Sequence, residues 1–376
     1  TSTATPSSTE KRAVNFDYTV ENVETDANGF GLRLIAQPTE KEVFTDITAV
    51  IAENPRGDGV SSFKINVTDT TGLVVGSTLI FTKGTTDSIN LLASCYSKIL
   101  KSGDEIIISE MEHHSNIVPW QMCCENTGAK LKIVPITELG ELDLNEFKNL
   151  VSSKTKLVSI THISNSLGTI NPIEKIINLS HENGAKVLID GAQAAAHVNV
   201  DVQDLNVDYY CFSAHKLYGP TGVGILYGKE DLLNYLPPYQ GGGEMIQEVT
   251  FEKTTYACLP HKFEAGTPNI GGVIAFKKAI DFLIETRVET MKEHEDHLLN
   301  YATESLNNIN GIRIIGTSKK KSAIISFTVE NIHHYDLGLI LDKMGVAIRT
   351  GHHCTQPVMK KFNIAGTSRV SFAYYN

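Results

Sequence analysis

From about residue 78 onward the chain alternates short apolar runs with segments of helical periodicity, and few architectures accept that order. "TLIFT" leads to "TTDSINLLASCYSKIL", "DEIIIS" to "IVPWQMCCENTG", "KLVSITHI" to "PIEKIINLSHENG", and "KVLID" to "AQAAAHV". The alternation implies an α/β fold with a parallel sheet flanked by helices. After roughly residue 262, the helical patterns "GGVIAFKKAIDFLIETRV" and "MKEHEDHLLNYATESLNNI" precede the strand-like "SAIISFTV" and a further helix, "YDLGLILDKMG". That order reads as a smaller α+β lobe, giving a large domain over 77–262 and a C-terminal part over 263–376.

Residues 1–76 do not follow this pattern. Ser/Thr-rich at the start, they carry "VNFDYTVENV", "FGLRLIAQ" and "SSFKINVTDTTGLVVG" with turn signals such as "NPRGDG", which predicts short antiparallel strands. The expectation is an N-terminal appendage, β-rich or partly disordered.

Charge narrows the partners. With 33 Lys+Arg against 43 Asp+Glu the formal net charge is −10, which repels nucleic-acid phosphates and anionic membrane surfaces and favours a small-molecule partner. No apolar run approaches the roughly eighteen residues of a membrane span, and "TSTATPSSTEKR" has no signal-peptide core, so the expected location is the cytoplasm. The 6 cysteines show neither a CxxC pair nor metal-ligand spacing, which predicts reduced thiols and no metal site. Cys354 stands apart in the polar stretch "RTGHHCTQP".

Three stretches put reactive groups at the carboxyl ends of expected strands, where open α/β sheets bind ligands. In "FTKGTTDSINLL", Gly84, Thr85 and Thr86 open a helix and offer N–H groups and hydroxyls to a phosphate, although a plain N-cap reads the same. In "KVLIDGAQAAAH", Asp190 ends an apolar run and needs a cationic partner or a capping role. In "YYCFSAHKLYGPTGVGILYG", Lys216 follows an apolar run, and a desolvated amine there is a usable nucleophile rather than a surface lysine. A phosphate cradle, a buried carboxylate and a strand-end lysine together are the parts that hold pyridoxal phosphate through a Schiff base.

The stretches "DGAQAAAHVNVDVQDLNVDYYCFSAHKLYGPTGVGILYG", "EMEHHSNIVPW", "ITHISNSLGTINP", "KFEAGTPN" and "RTGHHCTQP" closely resemble the SufS-type cysteine desulfurases and selenocysteine lyases of the class V aminotransferase family. The resemblance runs over about residues 78–376. It implies a fold type I pyridoxal phosphate-dependent transferase with a mostly parallel seven-stranded sheet, a homodimer, L-cysteine or L-selenocysteine as substrate, and sulfur passed to an acceptor protein for iron–sulfur cluster assembly.

Residue by residue, the resemblance implies that Lys216 is the Schiff-base lysine, that Asp190 pairs with the pyridinium nitrogen, and that Gln193 contacts the phenolic oxygen. His113 stacks on the ring and joins the catalytic set. Thr85, Thr86, Ser213 and His215 hold the phosphate, with Thr267 reaching over from the other subunit. Asn165 and Arg369 match substrate-carboxylate positions, Arg349 an active-site arginine, and Cys354 the persulfide-forming cysteine. His114 and the His333–His334 pair are expected in structural or solvent-facing roles. The family's "LDNAAS"-like opening and "HRG" element do not occur in residues 1–76, and relatives continue past "SFAYYN" through a last helix. Beside the desulfurase, the sequence therefore leaves two other readings: a selenocysteine lyase, and a catalytically impaired protein of this fold serving binding or assembly.

Overall fold

A computed structural model describes residues 77–376 throughout, and before them the backbone of four strands. These are β1 (Val14–Asp26), β2 (Gly29–Ala36), β3 (Ile47–Ile51) and β4 (Ser61–Val67), paired antiparallel in the order β2-β1-β4-β3. The rest of the expected N-terminal appendage lies outside the described residues.

The main sheet has seven strands: β5 (Ser77–Thr82), β6 (Glu105–Ser109), β7 (Lys130–Val134), β8 (Thr155–Thr161), β9 (Lys186–Asp190), β10 (Tyr209–Ser213) and β11 (Gly224–Lys229). Their order is β5-β11-β10-β9-β8-β6-β7. The pairs from β10 to β7 are parallel, and β11 is antiparallel to both its neighbours. β5 therefore runs with β10, and the sheet is mostly parallel, as expected.

Strand character follows from burial on both faces. Every residue of β6, "EIIIS", is buried, and successive side chains point to opposite faces. Ile107 joins Val158, Val187 and Ile189 in one apolar cluster, while Ile106 and Ile108 join Leu157, Leu188 and Cys211 in the other. The helices beside this sheet are α1 (Thr85–Tyr96), α2 (Val118–Thr127), α3 (Leu144–Leu150), α4 (Ile173–Glu182) and α5 (Glu230–Tyr235). In α4, Ile173, Ile176, Ile177 and Ser180 are buried, the i, i+3, i+4, i+7 stripe of a helix with one face on a core.

Past a short hairpin of β12 (Ile246–Val249) and β13 (Thr254–Tyr256) come α6 (Ile270–Thr286) and α7 (Val288–Asn307). A four-stranded antiparallel sheet follows, β14 (Ile312–Ile315), β15 (Ile324–Val329), β16 (Arg349–Gly351) and β17 (Thr367–Ser371), in the order β14-β15-β17-β16. α8 (His334–Lys343) and α9 (Gln356–Lys361) interleave with it.

Two segments differ from expectation. "AQAAAHV" forms a single 3₁₀ turn over Ala194–Ala196 instead of a helix; just before it Gly191 packs against Tyr210, whose ring lies 2.0 Å from where a Cβ would be, and tertiary context readily overrides alanine's helix propensity. The strand "KLKIV" went unread: β7 is an edge strand, mostly half-buried or exposed, with two lysines, so it lacks the apolar run that marks its neighbours.

Candidate active site

β5, β9 and β10 point the same way, so Thr82, Asp190 and Ser213 end at one edge of the sheet. Gly84, just past β5, is the N-cap of α1; its φ of 153° lies in the region that favours glycine, and no side chain caps the helix. β11 comes so close that a Cβ on Gly224 would sit 2.4 Å from Gly84 Cα and 2.5 Å from its N. The result is a narrow backbone cradle at a helix N-terminus, a geometry that suits a phosphate. Its inner wall is Ser213, whose Oγ accepts from Thr85 N–H at 2.8 Å and lies 2.8 Å from Thr85 Oγ1. Thr86 is exposed at the mouth, as is His215.

Lys216 closes the 3₁₀ turn that follows β10. Burial holds its ammonium below the ordinary lysine pKa, Asp190 opposes that shift, and Arg369 and Arg349 add to it. Asp190 is buried and accepts one N–H, from Ala192 at 2.9 Å; burial raises its pKa, and the Ala192 N–H and Lys216 counter it. A buried carboxylate with this few donors suits a cationic ring nitrogen. Gln193, half-buried, opens the next turn.

His113 caps its own turn: Nδ1 accepts from Ser115 N–H at 3.0 Å. Burial first, then Lys216, His114 and Arg349, push its pKa down to about 4. The ring is neutral at neutral pH, and with Nδ1 accepting, the proton sits on Nε2. Together the cradle, Asp190, Lys216 and His113 fit a phosphate-bearing pyridine aldehyde.

The C-terminal sheet supplies the opposite wall. Arg349 and Arg369 are directly paired across β16 and β17, a like-charge arrangement that costs free energy without an anion. Neither forms an ion pair among the described residues. Burial, and after it Arg349, lower the Arg369 pKa to about 10 against the opposing effect of Cys354. Arg369 Nη1 donates to the Asn165 carbonyl at 2.8 Å, and Asn165 Nδ2 donates to the His353 carbonyl at 2.6 Å. Cys354 is half-buried, and its carbonyl accepts from His114 N–H at 2.8 Å. His114 Nε2 in turn accepts from Gln356 N–H at 3.2 Å, which gives His114 the structural role expected of it.

Beneath His113 lies a polar network that sequence reasoning missed. Glu112, fully buried, accepts from Ser109 Oγ, from Asn116 Nδ2 at 2.7 Å and from Thr161 N–H at 3.0 Å. Asn116 Oδ1 accepts from Trp120 Nε1 at 2.8 Å and Ser159 Oγ at 2.6 Å. The available signal was an acid three residues after a buried strand that ends in Ser109, with Asn four residues after the acid. Burial pushes the Glu112 pKa up to about 8, opposed by its hydrogen bonds and supported by Asp190. A raised folded-state pKa contributes stability that is complete below the unfolded value near 4.5 and is lost as pH rises through about 8. Denaturant titrations of wild type and Glu112→Gln between pH 5 and 8 should therefore diverge in slope, wild type losing up to about 1.4 kcal/mol per pH unit more; parallel curves would mean Glu112 is ionised throughout.

The aminotransferase class-V family model matches residues 60–376. The chain belongs to the class V aminotransferase family. This class V chain is 47% identical over 300 residues to a cysteine desulfurase of Escherichia coli O8, covering 79% of itself and 74% of that protein. It is 47% identical over 299 residues to a cysteine desulfurase of Synechococcus elongatus. It spans 48% of that relative's length, and about half the length of further curated relatives. The crystal structure of the cysteine desulfurase CsdA (S-sulfonic acid) from Escherichia coli superposes with a TM-score of 0.77 at 39% identity, over 79% of this chain and 74% of that one. The α/β fold type I architecture expected from the motifs is thus the architecture of the class V chain.

Most of the residues marked in the sequence converge on this cleft. Thr267, expected to act from the other subunit, is exposed on the loop ahead of α6. Asn165 is buried with its amide N–H already engaged by His353.

Proposed function

We propose that the chain is a pyridoxal phosphate-dependent cysteine desulfurase of the cytoplasm, converting L-cysteine to L-alanine and holding the sulfur on Cys354 as a persulfide for an acceptor protein of iron–sulfur cluster assembly. One observation carries the reading: the hydrogen bond from His114 N–H to the Cys354 carbonyl fastens the thiol loop beside His113, facing Lys216.

In this reading the N-terminus of α1, Thr85, Thr86, Ser213 and His215 hold the cofactor phosphate, with Thr267 of the partner subunit in a homodimer. Asp190 and Gln193 would hold the ring through its nitrogen and its phenolic oxygen, and His113 would pack against it. Bound through Lys216, pyridoxal phosphate withdraws electrons from the substrate α-carbon and makes its sulfur electrophilic. Lys216, with its lowered pKa, moves the α-proton. Arg369, oriented by the Asn165 carbonyl, and the neighbouring Arg349 attract the substrate carboxylate. Neutral His113 presents an N–H from Nε2. Cys354 Sγ, having given up its proton, forms an S–S bond with the substrate sulfur as the carbon–sulfur bond breaks; that bond's electron pair stays with the carbon fragment, which takes up protons to become alanine, and the sulfur remains on the enzyme as a persulfide.

The test is the full chain reconstituted with pyridoxal phosphate and given L-cysteine with excess reductant. Equal amounts of alanine and sulfide are expected. Product from L-selenocysteine alone would make it a selenocysteine lyase, and a yellow protein inert to both would support the impaired-scaffold reading.

A further inference from the structure

We propose that His353 is a positioning residue for Cys354: its imidazole, tied to Thr367 on β17, sets the reach of the thiol. The thiol's role rests on the desulfurase reading; the tie does not.

Both residues occupy the left-handed region, His353 at φ 54° and Cys354 at φ 59°. For residues with a Cβ this conformation costs about 1–2 kcal/mol each, and consecutive instances persist only where surroundings over-determine them. Side chains alternate along the loop: His352 is exposed, His353 is buried and Cys354 is half-buried. The inward anchor is therefore His353. Its Nε2 lies 2.8 Å from Thr367 Oγ1, and both groups are buried. The other ties on this pair run through their main chain, from Asn165 Nδ2 to the His353 carbonyl at 2.6 Å and from His114 N–H to the Cys354 carbonyl at 2.8 Å. The Thr367 bond is thus the one that a side-chain change at 353 removes without touching the others.

The opposite ring nitrogen points the same way. His353 Nδ1 and Arg369 Nε are both buried without a hydrogen-bond partner, an arrangement that costs about 1–3 kcal/mol per group. A residue chosen for packing alone would be apolar. Burial, Arg369 and Arg349 hold the imidazole pKa down to about 3, so it stays neutral beside two guanidiniums and acts through the reach of Nε2. Glutamine can bring an amide to that reach; asparagine is too short.

The experiment compares His353→Asn and His353→Gln as substrate-free, cofactor-loaded protein. Iodoacetamide labelling of Cys354 is followed by peptide mass, with buried Cys95 and Cys211 as internal reporters of unfolding. His353→Asn should label Cys354 about tenfold faster than wild type, the loss of one hydrogen bond, with Cys95 and Cys211 still protected. In turnover it should lower kcat for cysteine and leave KM unchanged, and His353→Gln should restore both readouts. Equal labelling of wild type and His353→Asn, no rescue by glutamine, or labelling of Cys95 and Cys211 in step with Cys354 would each overturn the proposal. Absence of sulfide release from wild type would sink the desulfurase reading and leave the labelling comparison standing.

Discussion

Lys216→Ala should yield a colourless protein that releases no sulfide. The amine ends the turn after β10 and is acidified by burial and by the two arginines, so it combines two tasks that alanine cannot perform: the covalent link to the cofactor and the movement of the α-proton. Loss of a positioned proton-transfer group alone lowers rate by about 10²–10⁴-fold, and loss of the link removes the imine absorption and lets the cofactor wash out during purification. The cradle at Gly84, the Thr85–Ser213 contacts and Asp190 are untouched by the change. Added pyridoxal phosphate should therefore still bind, and equilibrium dialysis should find it released by dilution where wild type retains it. A yellow Lys216→Ala protein after dialysis would show that another amine forms the link.

Cys354→Ser should separate the cofactor from the sulfur. Arg369, Asn165 and Lys216 remain, so the variant should be yellow and should change colour when L-cysteine is added, yet release sulfide at least about 10²-fold more slowly, because a hydroxyl is a far poorer nucleophile toward sulfur than a thiolate. L-Selenocysteine should continue to be turned over, since selenium leaves more readily and depends less on an attacking thiolate. Loss of cofactor from the variant would assign Cys354 to the fold instead, and sulfide release equal to wild type would remove it from the chemistry.

What could be read from the sequence was local. Lys216 and Asp190 stood out because Asp190 ends an apolar strand and Lys216 follows one, and a strand buried on both faces announces itself by composition. The long stretches around them carried the family resemblance. What could not be read were contacts made across distance. Asn165 meets His353 across 188 positions, and Thr85 meets Ser213 across 128; nothing in either neighbourhood encodes the partner. Glu112 sat inside a stretch already singled out, but its significance depends on Thr161 from a neighbouring strand. The alanine run after Asp190 misled for a related reason, since its propensity is helical while the folded chain forms one 3₁₀ turn there.

The order of the main sheet has a consequence for biosynthesis. β5, the first strand of that sheet in the sequence, lies at its edge and pairs there with β11, the last. Until the ribosome has delivered Lys229, β5 has no partner in the sheet, and Gly84 lacks the wall that β11 and Ser213 provide. Bringing such distant segments together is slow, because loop closure must precede the contacts that reward it. An unpaired apolar strand waiting through that interval is a site for mispairing between nascent chains. The phosphate cradle therefore cannot be complete before β11 is in place beside β5, and a cofactor held by it requires the strand that closes this edge of the sheet.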